Sequence, residues 1–166
     1  MSCDHEILNR FLVEIFNEIL RTEERCITQS GHTDLSIREL HVIEAVCQCA
    51  EKGKNTASDI AALLDVVPGT LTVSTAALER KGYLRREPNP EDGRSQLLFA
   101  TPQAEGLRNA KAETESAFYD YLMDGLSESD RETFLNLLDV VYRRSKAESR
   151  AGFPAVRTLI AGEGEQ

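Results

Sequence analysis

Apolar residues recur at every third or fourth place near the start of the chain: Ile7, Leu8, Phe11, Leu12, Ile15, Phe16 and Ile19. That spacing lays them along one stripe and predicts an amphipathic helix over residues 5–25 with a wide buried face. The stretch QSGHTD breaks the pattern with turn-forming residues. LSIRELHVIEAVCQCA follows, with Ser36 at a cap position and Glu39 three residues on, a capping box that opens a second helix over about 37–50. Beyond the loop EKGKN, the run SDIAALLD predicts a short third helix capped by Ser58, with Ile60, Ala61, Leu63 and Leu64 facing inward.

The pattern then shifts. In VVPGTLTVSTAALERKGYL, Pro68 suits a first helical turn and Gly82 the position past a helix end, so a fourth helix is expected over about 68–81. LRRE and LLFA are short strand-like runs on either side of NPEDGRSQ, whose Asn89, Pro90, Asp92 and Gly93 are turn residues; together they read as a two-stranded hairpin. Helical spacing returns after Thr101 and Pro102, through Leu107, Ala110, Ala117, Phe118, Tyr121 and Leu122. It resumes after a cap at Ser127, giving two long C-terminal helices. Residues 150–166 show little periodicity and are expected to form a flexible tail.

Composition narrows the classes. With 166 residues the chain is sized for a single domain, residues 1–149. The 41% hydrophobic and 28% charged fractions fit a globular protein, and no run reaches the roughly eighteen apolar residues a membrane span requires. The acidic N-terminus lacks a secretory signal's basic start, so a cytoplasmic location and no membrane partner are expected. Cys3, Cys26, Cys47 and Cys49 are too sparse for a disulfide scaffold and read as free thiols. Three histidines, no glycine-rich phosphate loop and no nucleophile in a recognisable setting argue against an enzyme, and no cofactor is called for.

The net charge of −9 excludes nucleic-acid binding by bulk charge, so any DNA contact must come from locally placed cations. One basic island exists: over residues 80–94, Arg80, Lys81, Arg85, Arg86 and Arg94 face Glu87, Glu91 and Asp92, five against three, a local +2.

That island lies in an order of elements, short helix, turn, helix, strand, turn, strand, that resembles a winged helix-turn-helix, whose second helix enters the major groove. On this helix Leu71, Leu78 and one of Ser74 or Thr75 fall inward, which leaves Thr70, Thr72, Val73, Ala76 and Ala77 nearer the outside. Small and hydroxyl side chains permit close approach. Val73 or Ala76 fits a thymine methyl, and with few long base-reading side chains much specificity is expected from DNA shape. The expected DNA-facing set is Pro68, Gly69, Thr70, Thr72, Val73, Thr75 and Ala76, then Arg80, Arg85, Arg86, Asp92 and Arg94. Within it, Arg85 and Arg86 reach phosphates. Asp92 holds the Arg94 guanidinium by a charge-assisted bond in a turn that Gly93 allows, aiming it at the minor groove.

The span SDIAALLDVVPGTLTVSTAALERKGYLRREPNPEDGRSQLLFATPQAEG is similar to the DNA-binding lobe of the MarR family of transcriptional regulators. It carries the LERKG end of the recognition helix, the D-P-E-D-x-R wing turn with Asn89 in first place, and the L-T-P entry to the next helix with Ala100 for leucine. The resemblance implies a mainly α, winged helix-turn-helix fold and a repressor that binds double-stranded DNA as a homodimer on a pseudo-palindromic operator. It places the lobe at about 37–100 and dimerisation helices at about 5–25 and 102–148.

NRFLVEIFNEILRTEE, LSIRELHVIEAV and GTLTVSTAALERKGYLRR further resemble the FabT-like subgroup of fatty-acid-synthesis repressors. That implies an acylated acyl carrier protein as co-repressor, its chain in a tunnel for which Leu12, Phe16, Leu40, Ile43 and Val46, with the neighbouring His41, are the lining residues; ordinary core is the alternative for each. A repressor released by a small lipophilic ligand or by thiol oxidation, and a winged-helix interaction module that binds no DNA, are the competing readings. Some members of the family use a histidine at the position of His41 and an upstream glutamate as zinc ligands, but residues 102–126 contain no companion histidine, so no metal is expected. Cys47 and Cys49, two apart on a helix, point to different faces; Cys26 or Cys3 would be the redox sensor.

Overall fold

The computed structural model describes the backbone of residues 3–151 and the side chains of residues 3–146. The expected tail, 150–166, lies almost wholly outside the described residues. Among the described residues, six helices and one hairpin follow in the order α1 (Cys3–Gln29), α2 (Ile37–Glu51), α3 (Ala57–Leu64), α4 (Pro68–Arg80), β1 (Leu84–Pro88), β2 (Gln96–Ala100), α5 (Pro102–Met123) and α6 (Glu128–Ala151).

The chain divides into two units, Met1–Phe118 and Tyr119–Gln166. In the first, Leu40, Ile43 and Val46 of α2, Ile60 of α3, Leu71 and Leu78 of α4, Tyr83, Leu98 of β2 and Leu107 of α5 form one core, each 0% or 1% exposed. The apolar stripe of α1 is different: Ile7, Leu8, Phe11, Leu12, Val13 and Phe16 all stand exposed, and the helix buries only Glu23, Cys26 and Ile27. The wide buried face expected of residues 5–25 is therefore not found among the described residues. In the second unit α6 starts at Ser127, whose hydroxyl accepts the Asp130 N–H at 3.2 Å, and it too exposes apolar residues, among them Leu137, Val140, Val141 and Tyr142.

The element boundaries follow from local chemistry. Ser36 and Glu39 form the expected capping box at the start of α2. Helix α1 runs past residue 25 because RTEERCITQ stays helical until Gly31, at φ +77°. At α3 the cap is Thr56 rather than Ser58, because Thr56 and Asp59 make their own reciprocal box. The inward face of α3 is Ile60, Ala61 and the partly buried Leu64, whereas Leu63 is 46% exposed, since an eight-residue helix can turn only one stripe inward.

The hairpin is antiparallel, with Leu84 opposite Ala100, Arg85 opposite Phe99 and Arg86 opposite Leu98. A buried asparagine ties it to the head of α3: Asn55 Nδ2 donates to the Leu98 carbonyl at 2.7 Å, Leu98 N–H donates to the Asn55 carbonyl at 2.9 Å, and Thr56 bridges Leu97.

Candidate nucleic-acid interface

Helices α3 and α4 meet at 110°, within the range of helix-turn-helix pairs. The corner depends on Asp65, which adopts the left-handed conformation at φ +54° and is the one described non-glycine residue to do so; short polar side chains tolerate that region best. Val67 then precedes α4 without any side-chain cap, and Pro68 occupies its first turn. The amino end of α4, with its positive dipole, is thus left without a side-chain acceptor.

Along α4, Leu71, Thr75 and Leu78 are buried, and Pro68, Gly69, Thr70, Thr72, Val73, Ala76 and Arg80 are exposed, Val73 by 73%. Thr75 is therefore removed from the DNA-facing set. It is the inward residue of the Ser74/Thr75 alternative because it falls four residues after Leu71 and three before Leu78 on the same stripe. Its hydroxyl donates to the Thr72 carbonyl at 3.2 Å and accepts from Arg86 at 3.3 Å. Outside, the Thr72 hydroxyl donates to the Pro68 carbonyl at 2.9 Å, leaving its methyl and lone pairs outward. A Cβ placed on Gly69 would meet open space, so this end of the helix presents backbone to a partner.

Arg85 and Arg86 do not act as a pair, because consecutive residues of a strand point to opposite faces. Arg85 pairs with Glu87 and lies over the Phe99 ring, 4.8 Å from its centroid. Arg86 turns to α4, its Nε 2.8 Å from Glu79, and so serves as a strut between wing and helix.

The wing tip is closed by its own hydrogen bonds. Asn89 donates to the Ser95 hydroxyl at 2.8 Å, Glu91 N–H donates to Asn89 Oδ1 at 3.0 Å, and Ser95 N–H donates to the Asp92 carbonyl at 2.9 Å. Asp92 Oδ1 accepts the backbone N–H of Arg94 at 3.0 Å, an Asx turn. The carboxylate thus shapes the loop instead of gripping the guanidinium. Among the described residues Arg94 makes no ion pair and is exposed. Gly93 is not at positive φ and a Cβ there meets open space, so the turn does not depend on its being glycine.

Of the expected ligand-lining residues, Leu12 and Phe16 are 55% and 61% exposed, while Leu40, Ile43 and Val46 are sealed in the core, so within one chain these five line no common tunnel. Close packing consumes one face of α2, and Arg38, His41 and Val42 on another face line a cavity of about 390 Å³ against Leu64, Val66, Thr70 and Ser74. His41 Nε2 also lies 3.0 and 3.1 Å from the two oxygens of the buried Glu23 carboxylate. Among the described residues no three His, Cys, Asp or Glu side chains converge as a metal cage would need. Cys26 is buried and Cys3 exposed, and burial pushes the Cys47 and Cys49 thiols up, away from the thiolate form.

Three features escaped the sequence pattern: Asn55, read as loop; Glu79, which holds Arg86; and Lys111 of α5, which is 4% exposed and ion-paired with Glu23. Each acts over a distance in sequence that periodicity does not cover.

The MarR family model matches residues 35–96. No curated protein matches the chain. Among solved structures, Streptococcus pneumoniae FabT in complex with DNA is 28% identical, with a TM-score of 0.75 over 86% of this chain and 98% of that one. The Staphylococcus aureus MepR–DNA complex is 21% identical, at 0.63 over 81% and 96%. A MarR-like transcription regulator from Bacillus cereus is 20% identical, at 0.62 over 86% and 99%. The fold is accordingly the winged helix-turn-helix of these proteins. No single described helix is long and apolar enough to cross a membrane.

Proposed function

We propose that the chain, whose residues 35–96 match the MarR family model, is a DNA-binding transcriptional regulator of that family, acting in the cytoplasm as a homodimeric repressor on a pseudo-palindromic operator. The observation that carries the reading is the pairing of an uncapped, small-faced α4 with a wing whose tip holds an exposed Arg94, without an ion pair among the described residues, on a hydrogen-bonded loop. A helix of this surface approaches base edges closely, its amino end favours a phosphate, and a projecting arginine suits a narrow minor groove. The 28% identity to a FabT seen with DNA supports it.

The second copy is supported by the exposed apolar stripes of α1 and α6, which a monomer would leave in water. Residues 5–25 and 102–148 are assigned to dimerisation on that ground. The FabT likeness also favours fatty-acid-synthesis genes as targets and an acylated acyl carrier protein as co-repressor, with the cavity beside His41 as the alternative seat of a small lipophilic effector. Fluorescence anisotropy with DNA from upstream of the protein's own gene tests the core reading. Saturable binding that unrelated DNA does not compete away supports it, and equal affinity for both DNAs overturns it. Addition of long-chain acyl carrier protein then separates the two effectors.

A further inference from the structure

The buried residues of α1 are Glu23, Cys26 and Ile27, and those of α5 are Ala104, Leu107 and Lys111. Cys26, Ile27, Ala104 and Leu107 belong to the apolar core. Moving outward along either helix, the last buried side chain is therefore a charged one, and the two meet: Lys111 Nζ lies 3.2 Å from Glu23 Oε1. The same ammonium lies 2.7 Å from Glu44 of α2 and 2.6 Å from Glu115, one turn further along α5. His41 of α2 extends the cluster through its contact with Glu23. Three carboxylates on three helices thus surround one ammonium, which donates hydrogen bonds to Glu115 and Glu44 and forms an ion pair with Glu23.

The hydrophobic driving force is itself non-directional, whereas charge-assisted contacts converging on one buried point add a directional constraint to the packing. We infer that Lys111 is a positioning residue that sets the direction in which α1 and α5 leave the DNA-reading lobe. The inference rests on the reading of these helices as dimerisation arms. Beyond Glu23, α1 continues for about 30 Å, so a tilt of about 5° at this point moves its far end by roughly 3 Å. In a dimer such a tilt changes the separation of the two recognition helices, which operator half-site spacing must match. Burial pulls the ammonium toward neutrality, but the bonds it donates to Glu115 and Glu44 outweigh that and its pKa is raised, so the brace stays charged across physiological pH.

The test compares wild type with Lys111→Met and Lys111→Arg in a Cys3→Ser background. Spin labels at Arg10 and Val73, both exposed, report the α1-to-α4 distance in labelled chains diluted into unlabelled ones. The expected result is a narrow distribution in wild type, a broad one in Lys111→Met, and recovery in Lys111→Arg. In parallel, Lys111→Met loses the discrimination between operators whose half-site spacing differs by one base pair, and Lys111→Arg regains it. If Lys111→Met does not fold, Glu44→Ala, which removes one of the three carboxylates, carries the same measurements. A folded variant with the wild-type distribution and spacing preference overturns the inference. Should wild type bind no DNA, the regulator reading fails while the distance measurement still decides the brace.

Discussion

Arg86 of the wing's first strand and Glu79 in the last turn of α4 lie 2.8 Å apart, so wing and helix are fastened to each other as well as to the core. Both side chains are about one-third exposed, and such pairs contribute little to stability, about 0–1 kcal/mol. Their value is geometric. Glu79→Ala is expected to leave the melting temperature nearly unchanged and to weaken operator binding by about 1 kcal/mol, roughly five-fold, which anisotropy titration and thermal unfolding check together.

Arg94→Ala is expected to cost about 1–3 kcal/mol of binding per half-site with no change in unfolding midpoint, because its guanidinium has no partner among the described residues. Unaltered operator affinity would remove the wing from the interface.

Asp92 allows a sharper comparison. Its Oδ1 accepts the Arg94 N–H, so Asp92→Asn keeps the acceptor and should retain near wild-type affinity, while Asp92→Ala opens the loop and weakens binding. Were the negative charge needed to orient Arg94, the two variants would be equally impaired in the same titration.

Thr75→Val removes a buried hydroxyl that both donates and accepts, at nearly constant volume. A loss of about 1 kcal/mol in denaturant unfolding is expected, with binding affected only through the freed Arg86. A large, sequence-dependent change in affinity with unchanged stability would put Thr75 back among the base contacts.

The pH profile of stability has two edges with assignable groups. Burial pushes the Tyr83 hydroxyl up to about 12, and its bond to Asp34 adds to the effect, against about 10 for an ordinary tyrosine. The folded chain holds this proton more tightly than the unfolded chain. Tyr83 therefore contributes fully below about pH 10, and the contribution is lost as pH rises toward 12. Glu39 behaves oppositely: burial alone would raise it, but bonds from Lys81 and Ser36 outweigh that and lower it. Its contribution is present above the usual glutamate range and disappears as pH falls below it. Denaturant unfolding across pH should show both edges, and Tyr83→Phe should lack the alkaline one.

Phe16→Glu places a charge on the exposed stripe of α1, where Phe16 is 61% exposed within one chain. A monomer by light scattering, with unfolding little altered, is the expected outcome. A variant of unchanged mass would move the dimer contact away from this stripe.

The sequence by itself determined the number, order and approximate limits of the elements, because periodicity, caps and turn residues act within a few positions of each other. Ser36 with Glu39, Pro68 at the head of α4, Gly82 behind it and the turn at Asn89–Gly93 were all legible for that reason. The exposed positions along α4 and the exposure of Arg94 followed from the same local rules. Only the tertiary structure decided which of Ser74 and Thr75 faces the core, that Arg86 serves α4, and that Asp92 bonds a backbone amide instead of a guanidinium. It also showed that the apolar stripe of α1 is exposed among the described residues, and that Glu23, Glu44 and Glu115 gather around Lys111. These depend on distances between residues far apart in the chain, which are fixed by how helices pack and which no local pattern of apolar and polar positions encodes.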